Sequence, residues 1–160
     1  MGRRPERDED GQVILVDSSV WVDYFRSADT PQVALLDSIL GRTRVAIGDL
    51  IAAEVLQGVR DDKEFKFVKR IFDGFPHVDL CGYDLAIKAA ENYRALRAKG
   101  ITIRKTVDTL IATRCIEDGL TLLHSDRDFA PFAQHFGMSE AYSKRLNSPA
   151  CAAFRAGPVE

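Results

Sequence analysis

Four acidic side chains stand at positions where a carboxylate is costly or oddly placed. Asp17 follows VILV, residues Val13–Val16, a short β-branched run that reads as a buried strand. Asp126 repeats the arrangement in LTLLHSDRDF, two residues beyond the strand-like stretch Leu120–His124, with Asp128 close behind. The other two fall within helical patterns. In TVDTLIATRCI, 100° steps put Asp108 on one face with Ile111, Ala112 and Cys115. In DLIAAEVLQG, Glu54 has Leu50, Ile51, Gln57 and Gly58 as same-face neighbours. Both acids therefore point toward an interior.

Burying an unpaired carboxylate costs several kcal/mol or forces its protonation. Converging carboxylates repel each other unless a positive charge lies between them. Oxygen donors of this kind suit hard divalent cations, Mg²⁺ or Mn²⁺. The sequence offers no histidine cluster for zinc, and no Ser-His-Asp or Cys-His arrangement for covalent catalysis. Simpler roles exist for each acid alone. Asp17 or Ser18 can cap the helix that follows, Asp126 can cap the last helix, and Asp108 lies in a first turn where the helix dipole favours an acid. Glu54, mid-helix and without a nearby cation, has no such role.

The elements that would position these groups alternate between strand and helix. Strands are expected at Val13–Val16, Val45–Ile47, His77–Leu80 and Leu120–His124. Helices are expected over Ser19–Arg26, Gln32–Leu40, Leu50–Gln57, Lys63–Phe72, Asp84–Ala98, Thr106–Glu117 and Asp128–His135. Such alternation implies crossovers and a short parallel sheet covered on both faces, a three-layer α/β/α sandwich. Open sheets of this type bind ligands beyond the carboxyl ends of their strands, where Asp17 and Asp126 fall. Residues 1–12 read as a flexible N-terminal extension, 13–145 as the folded domain, and 146–160 as an irregular tail.

At 160 residues, with 46% hydrophobic and 29% charged residues, the chain has the composition of one folded domain. A net charge of −2 excludes a polycation, so any nucleic-acid contact must come from a local basic patch. Cys81, Cys115 and Cys151 lack metal-site spacing, which points to a reducing cytoplasmic setting, with Cys81 and Cys115 as small core residues. No apolar run is long enough to span a membrane, and the charged start does not read as a signal peptide.

The stretches VDSSVWVDYF, EVLQG, TVDTLIA and LLHSDRDF, in this order and spacing, resemble the PIN-domain ribonucleases, above all the VapC toxins of bacterial toxin–antitoxin pairs. The resemblance extends from Val13 to Phe136. It implies an acidic quartet at Asp17, Glu54, Asp108 and Asp126, with Asp128 as a further acid and Ser19 and Ser18 steering the carboxylates. It further implies Mg²⁺- or Mn²⁺-dependent hydrolysis of RNA, with tRNA or rRNA as substrate, leaving 5′-phosphate ends. Asp17 and Asp108 would be direct ligands, and Glu54 and Asp126 would act through water or in support. A homodimer and a VapB-type antitoxin, whose C-terminal segment lies in an apolar groove, are implied as partners. Two features depart from the pattern: His124 stands where many members have Thr or Asn, and the first strand is preceded by twelve residues.

RNA binding requires cations beside these acids. Between Asn92 and Val107 lie Arg94, Arg97, Lys99, Arg104 and Lys105, without an acid. Arg104 and Lys105 precede the helix of Asp108 and are the main candidates, with Arg127 and Arg114 beside them; Arg94 and Arg97 read as a solvated face. Trp21 and Phe25 read as packing on the core or a partner. Phe65, Phe67 and Phe72 do not share one helical face, so some of them are left for a partner. Two rival functions remain: a phosphotransfer domain using Asp17 as acceptor, and a non-catalytic binding domain whose acids only cap helices.

Overall fold

The computed structural model describes residues 12–141. The expected extension, apart from Gln12, and the expected tail, with Cys151, lie outside the described residues.

The chain forms β1 (Val13–Val16), α1 (Ser18–Phe25), α2 (Pro31–Ile39), β2 (Arg44–Gly48), α3 (Asp49–Gln57), α4 (Asp62–Asp73) and β3 (His77–Val78). There follow α5 (Tyr83–Ala98), α6 (Thr106–Asp118), β4 (Thr121–Leu123), a 3₁₀ turn (Arg127–Phe129), α7 (Ala130–Phe136) and β5 (Ser139–Glu140). The five strands make one sheet in the order β3-β2-β1-β4-β5, and every neighbouring pair is parallel. This is the expected α/β architecture. β5 is an addition, because a two-residue strand leaves no periodic signal.

The order explains where a site must form. From β1 the chain steps outward to β2 and β3, then returns past β1 to β4. Right-handed crossovers place connections of opposite direction on opposite faces. Accordingly α1 packs on α2 and α3, α3 packs on α4, and α5 and α6 pair with each other on the other face. The reversal falls between β1 and β4, which pair through Ile14↔Thr121, Leu15↔Leu122 and Val16↔Leu123. A crevice opens beyond their carboxyl ends.

All four residues of β1 are buried, as are the three of β4, which fits strands covered on both faces. α1 is anchored by Trp21, which is fully buried and packs against Tyr24, Phe25, Phe72 and Phe75 at ring separations of 5.2–5.9 Å. On α4, Phe72 is buried while Phe65 and Phe67 are exposed, dividing the three phenylalanines as their spacing suggested. β2 runs into α3 with no intervening residue. Gly48 at this junction is there for space: an added Cβ would lie 2.2 Å from Leu80 Cδ1.

One expectation is corrected. Cys115 is buried, but Cys81 is exposed. The strand expected over His77–Leu80 stops at Val78, so the chain has already left the sheet at Cys81.

Candidate metal centre

Asp17 is held at the mouth of the crevice from both sides. Its backbone N–H donates to Leu123 O at 2.9 Å, extending the β1–β4 pairing to the first residue past β1. Its side chain caps α1: Oδ2 accepts from the Ser19 N–H at 3.1 Å and the Ser19 hydroxyl at 2.5 Å. The Ser125 N–H donates to that same hydroxyl oxygen at 3.3 Å, so Ser19 links the ends of β1 and β4. The neighbouring Ser18 hydroxyl donates to Glu54 Oε2 at 2.5 Å. Ser18 and Ser19 each hold one acid of the quartet.

Asp108 comes from α6, whose inward face also carries Ile111, Ala112 and Cys115, all buried. It is 5% exposed, and its Oδ2 is buried without a hydrogen-bond partner. Burial, helped by the negative charges of Asp17, Asp126 and Glu54, raises its pKa to about 6, while Lys105 pulls the other way. Asp17 is also pushed upward by burial and by Glu54, opposed by the Ser19 hydrogen bonds and His124. Glu54 is half-buried, less than its apolar neighbours suggested. The buried face of α3 is centred on Ile51 and Val55, and Glu54 lies at its border, facing the crevice.

Asp126 and Asp128 arrive together on the turn after β4. Asp126 Oδ1 accepts from the Asp128 N–H at 3.0 Å, which caps the 3₁₀ turn. The capping reading is thus correct for Asp17, whereas Asp126 caps the 3₁₀ turn and not the last helix, whose N-cap is Phe129; capping coexists with their place in the crevice. Carboxylate oxygens of Asp108, Asp126 and Asp128 lie within 4.8 Å of one another. The resemblance had Asp17 and Asp108 as the direct ligands; the tightest triplet among the described residues instead pairs Asp108 with the two acids of the turn. Asp17 stands beside it with Oδ2 already engaged by Ser19.

The cationic candidates divide. Arg104 forms a fork on Asp128, with Nε to Oδ2 at 3.0 Å and Nη2 to Oδ1 at 3.4 Å. Lys105 Nζ lies 3.9 Å from Asp126 Oδ2. Arg127 is exposed on the 3₁₀ turn. Arg114 turns away to Asp118 and the Cys81 carbonyl. Sequence reasoning missed these pairings, and also that of His124, whose Nε2 lies 2.8 Å from Glu140 Oε1. Glu140 is on β5, where the sequence offered no signal.

These residues fit a divalent cation. The donors are all carboxylate oxygens, suited to Mg²⁺ or Mn²⁺, and the orphaned Asp108 Oδ2 is the atom such an ion would satisfy.

A family model described as the PIN domain matches residues 14–134. The chain is 35% identical over 127 residues to a curated protein named ribonuclease VapC11 from Mycobacterium tuberculosis, a match covering 76% of this chain and 92% of that one. Among solved structures, VapBC-1 from nontypeable Haemophilus influenzae matches with a TM-score of 0.63 at 12% identity, covering 82% and 99% of the two chains. VapC20 from Mycobacterium tuberculosis, described as a sarcin–ricin loop cleaving toxin, matches with a TM-score of 0.54 at 18% identity, covering 77% and 95%. The structural matches speak for the shared fold.

Proposed function

Since the chain belongs to the PIN-domain family, we propose that it is a metal-dependent endoribonuclease and the toxin of a type II toxin–antitoxin pair. The observation that carries this reading is the buried carboxylate of Asp108, its Oδ2 without a partner, within 4.8 Å of carboxylate oxygens of Asp126 and Asp128. The ion is Mg²⁺ or Mn²⁺. When bound, it supplies Lewis acidity, lowering the pKa of an attacking water and neutralising charge on the leaving oxygen of the phosphodiester.

The remaining work falls to the chain's own groups. Asp108, Asp126 and Asp128 hold the cation, with Asp17 and Glu54 completing the acidic wall. Ser19 and Ser18 fix the rotamers of Asp17 and Glu54, so the wall is formed before substrate arrives. Arg104, Lys105 and Arg127 lie at the exposed rim, where they hold phosphates on either side of the scissile bond. Attack of water on phosphorus leaves 5′-phosphate and 3′-hydroxyl ends. The substrate is tRNA or rRNA.

Partners follow from two surfaces. A groove of about 520 Å³ is lined by Tyr24, Phe25, Val33, Phe67 and Ile71, with Phe67 56% exposed. It suits the apolar face of a VapB-type antitoxin segment. The outer face of α5, with exposed Tyr83 and Ile87, is open for a homodimer.

The test is incubation of the antitoxin-free protein with total cellular RNA, with Mg²⁺ or with chelator, followed by mapping of new 5′ ends. Discrete 5′-phosphate ends that require the ion are expected. If no ion-dependent cleavage is lost on Asp17→Asn, the ribonuclease reading is wrong.

A further inference from the structure

The two basic residues at the mouth of the centre are placed as substitutes for its cation. Arg104 and Lys105 are consecutive, immediately precede α6, and each sits on a different acid of the triplet: Arg104 on Asp128, Lys105 on Asp126. The acids are largely covered, with side-chain exposures of 16% and 24%, whereas the cations are 74% and 62% exposed. No ion pair or hydrogen bond to Asp108 is found for either cation, whose third acid keeps its buried, unpartnered Oδ2. The triplet is thus ion-paired on the solvent side, while Asp108 at its base has no paired cation.

A divalent ion that takes oxygens from all three acids must compete with both side chains. Exposed ion pairs contribute little and separate easily, and a dication outbids a single charge for the same oxygens. On release, the side chains remain at the rim with no acid left to neutralise. A guanidinium fork freed from a carboxylate is matched in shape and charge to a phosphate.

Resting on the ribonuclease reading, we propose that Arg104 and Lys105 are exchangeable counter-ions: they occupy Asp128 and Asp126 in the ion-free protein, and divalent-ion binding hands them over to the RNA backbone. They are positioning residues, not ligands of the ion. By linkage, the ion strengthens RNA binding and RNA strengthens ion binding, through the same two side chains. The device keeps the centre electrostatically quiet when empty and makes it adhesive to phosphate when loaded.

The experiment measures Mn²⁺ binding by titration calorimetry to the wild type, Arg104→Gln, Lys105→Gln, the double variant and Asp108→Asn. It also measures binding of a single-stranded RNA oligonucleotide with and without Ca²⁺, used as an ion that occupies the site without supporting cleavage. Removing the competing cations should tighten Mn²⁺ binding about 3- to 10-fold in the double variant, by relief of like-charge repulsion. The Ca²⁺-dependent gain in RNA affinity seen in the wild type should be largely lost. Mn²⁺ binding that is unchanged or weaker in the double variant overturns the counter-ion role, while leaving the ribonuclease reading in place. Absence of any wild-type Mn²⁺ binding sensitive to Asp108→Asn overturns both.

Discussion

Asp108→Asn is expected to abolish divalent-ion binding, to lower RNA cleavage by more than about 10²-fold, and at the same time to stabilise the ion-free fold at neutral pH. The two effects have one cause. Asp108 is 5% exposed and its pKa is raised to about 6, chiefly by burial and then by Asp17, so holding it ionised at pH 7.5 opposes folding. A group whose pKa is higher in the folded than in the unfolded state favours folding most where both states are protonated. That contribution is lost as pH rises through the folded value. Wild type should therefore lose stability from this residue between about pH 4 and pH 7, whereas an asparagine, which carries no charge, should not. Chemical denaturation in the presence of chelator should show the variant more stable by about 1–3 kcal/mol at pH 7.5, with the difference closing toward pH 4. Saturating Mn²⁺ should reverse the order, because only the wild type gains binding energy. A variant that is less stable at pH 7.5 would mean that Asp108 is held by a favourable interaction, and the metal-site reading would lose its physical basis.

The second large effect is structural. Trp21→Ala should cost about 3–5 kcal/mol, the range for emptying a large aromatic site in a core. Trp21 is fully buried and stacks on Phe25 at 5.8 Å and 20°, while Phe72 and Phe75 meet it from α4 and the turn beyond. Its indole N–H has no partner among the described residues, so Trp21→Phe removes an unsatisfied donor while leaving a smaller void. The phenylalanine variant should accordingly lose about 1–2 kcal/mol, well short of alanine. Urea unfolding followed by circular dichroism measures both, since the single tryptophan is lost as a fluorophore. The consequence for chemistry is direct, because α1 carries Ser18 and Ser19. Loss of the aromatic anchor should loosen Asp17 and Glu54 and reduce activity even at temperatures where the variant remains folded.

How far the sequence goes differs from residue to residue. Asp108 was legible because α6 has a continuous buried face, and a residue at fixed angular distance from Ile111 and Cys115 has no choice of direction. Asp17 and Asp126 were legible as strand-end acids because sheet topology puts every carboxyl end on one edge. Which oxygens converge was not legible. That depends on the 3₁₀ turn after Leu123, where Asp126 receives the Asp128 N–H and brings both carboxylates toward Asp108. Glu54 shows a finer limit: periodicity gives the centre of a buried face, not the width of its border. Cys81 was misplaced by the length of β3, since two residues of strand in place of four turn a core position into an exposed one. The pairings of Arg104 and His124 had no sequence signal, because they join exposed or short segments distant along the chain.

The pairing of β1 with β4 also governs when the enzyme can exist during its own synthesis. Residues 14–16 wait for residues 121–123 before the centre of the sheet can close, and Asp126 and Asp128 emerge later still. Loop closure over that distance slows folding, and a parallel central strand cannot be replaced by a local hairpin. Early translation intermediates therefore carry Asp17 and Glu54 but no complete centre. A ribosome-bound chain halted with residue 118 outside the exit tunnel should be inert and protease-sensitive. One halted with residue 141 outside should resist protease and bind Mn²⁺. The centre is thus assembled only after β4 and the turn beyond it have been made, however early Asp17 and Glu54 emerge.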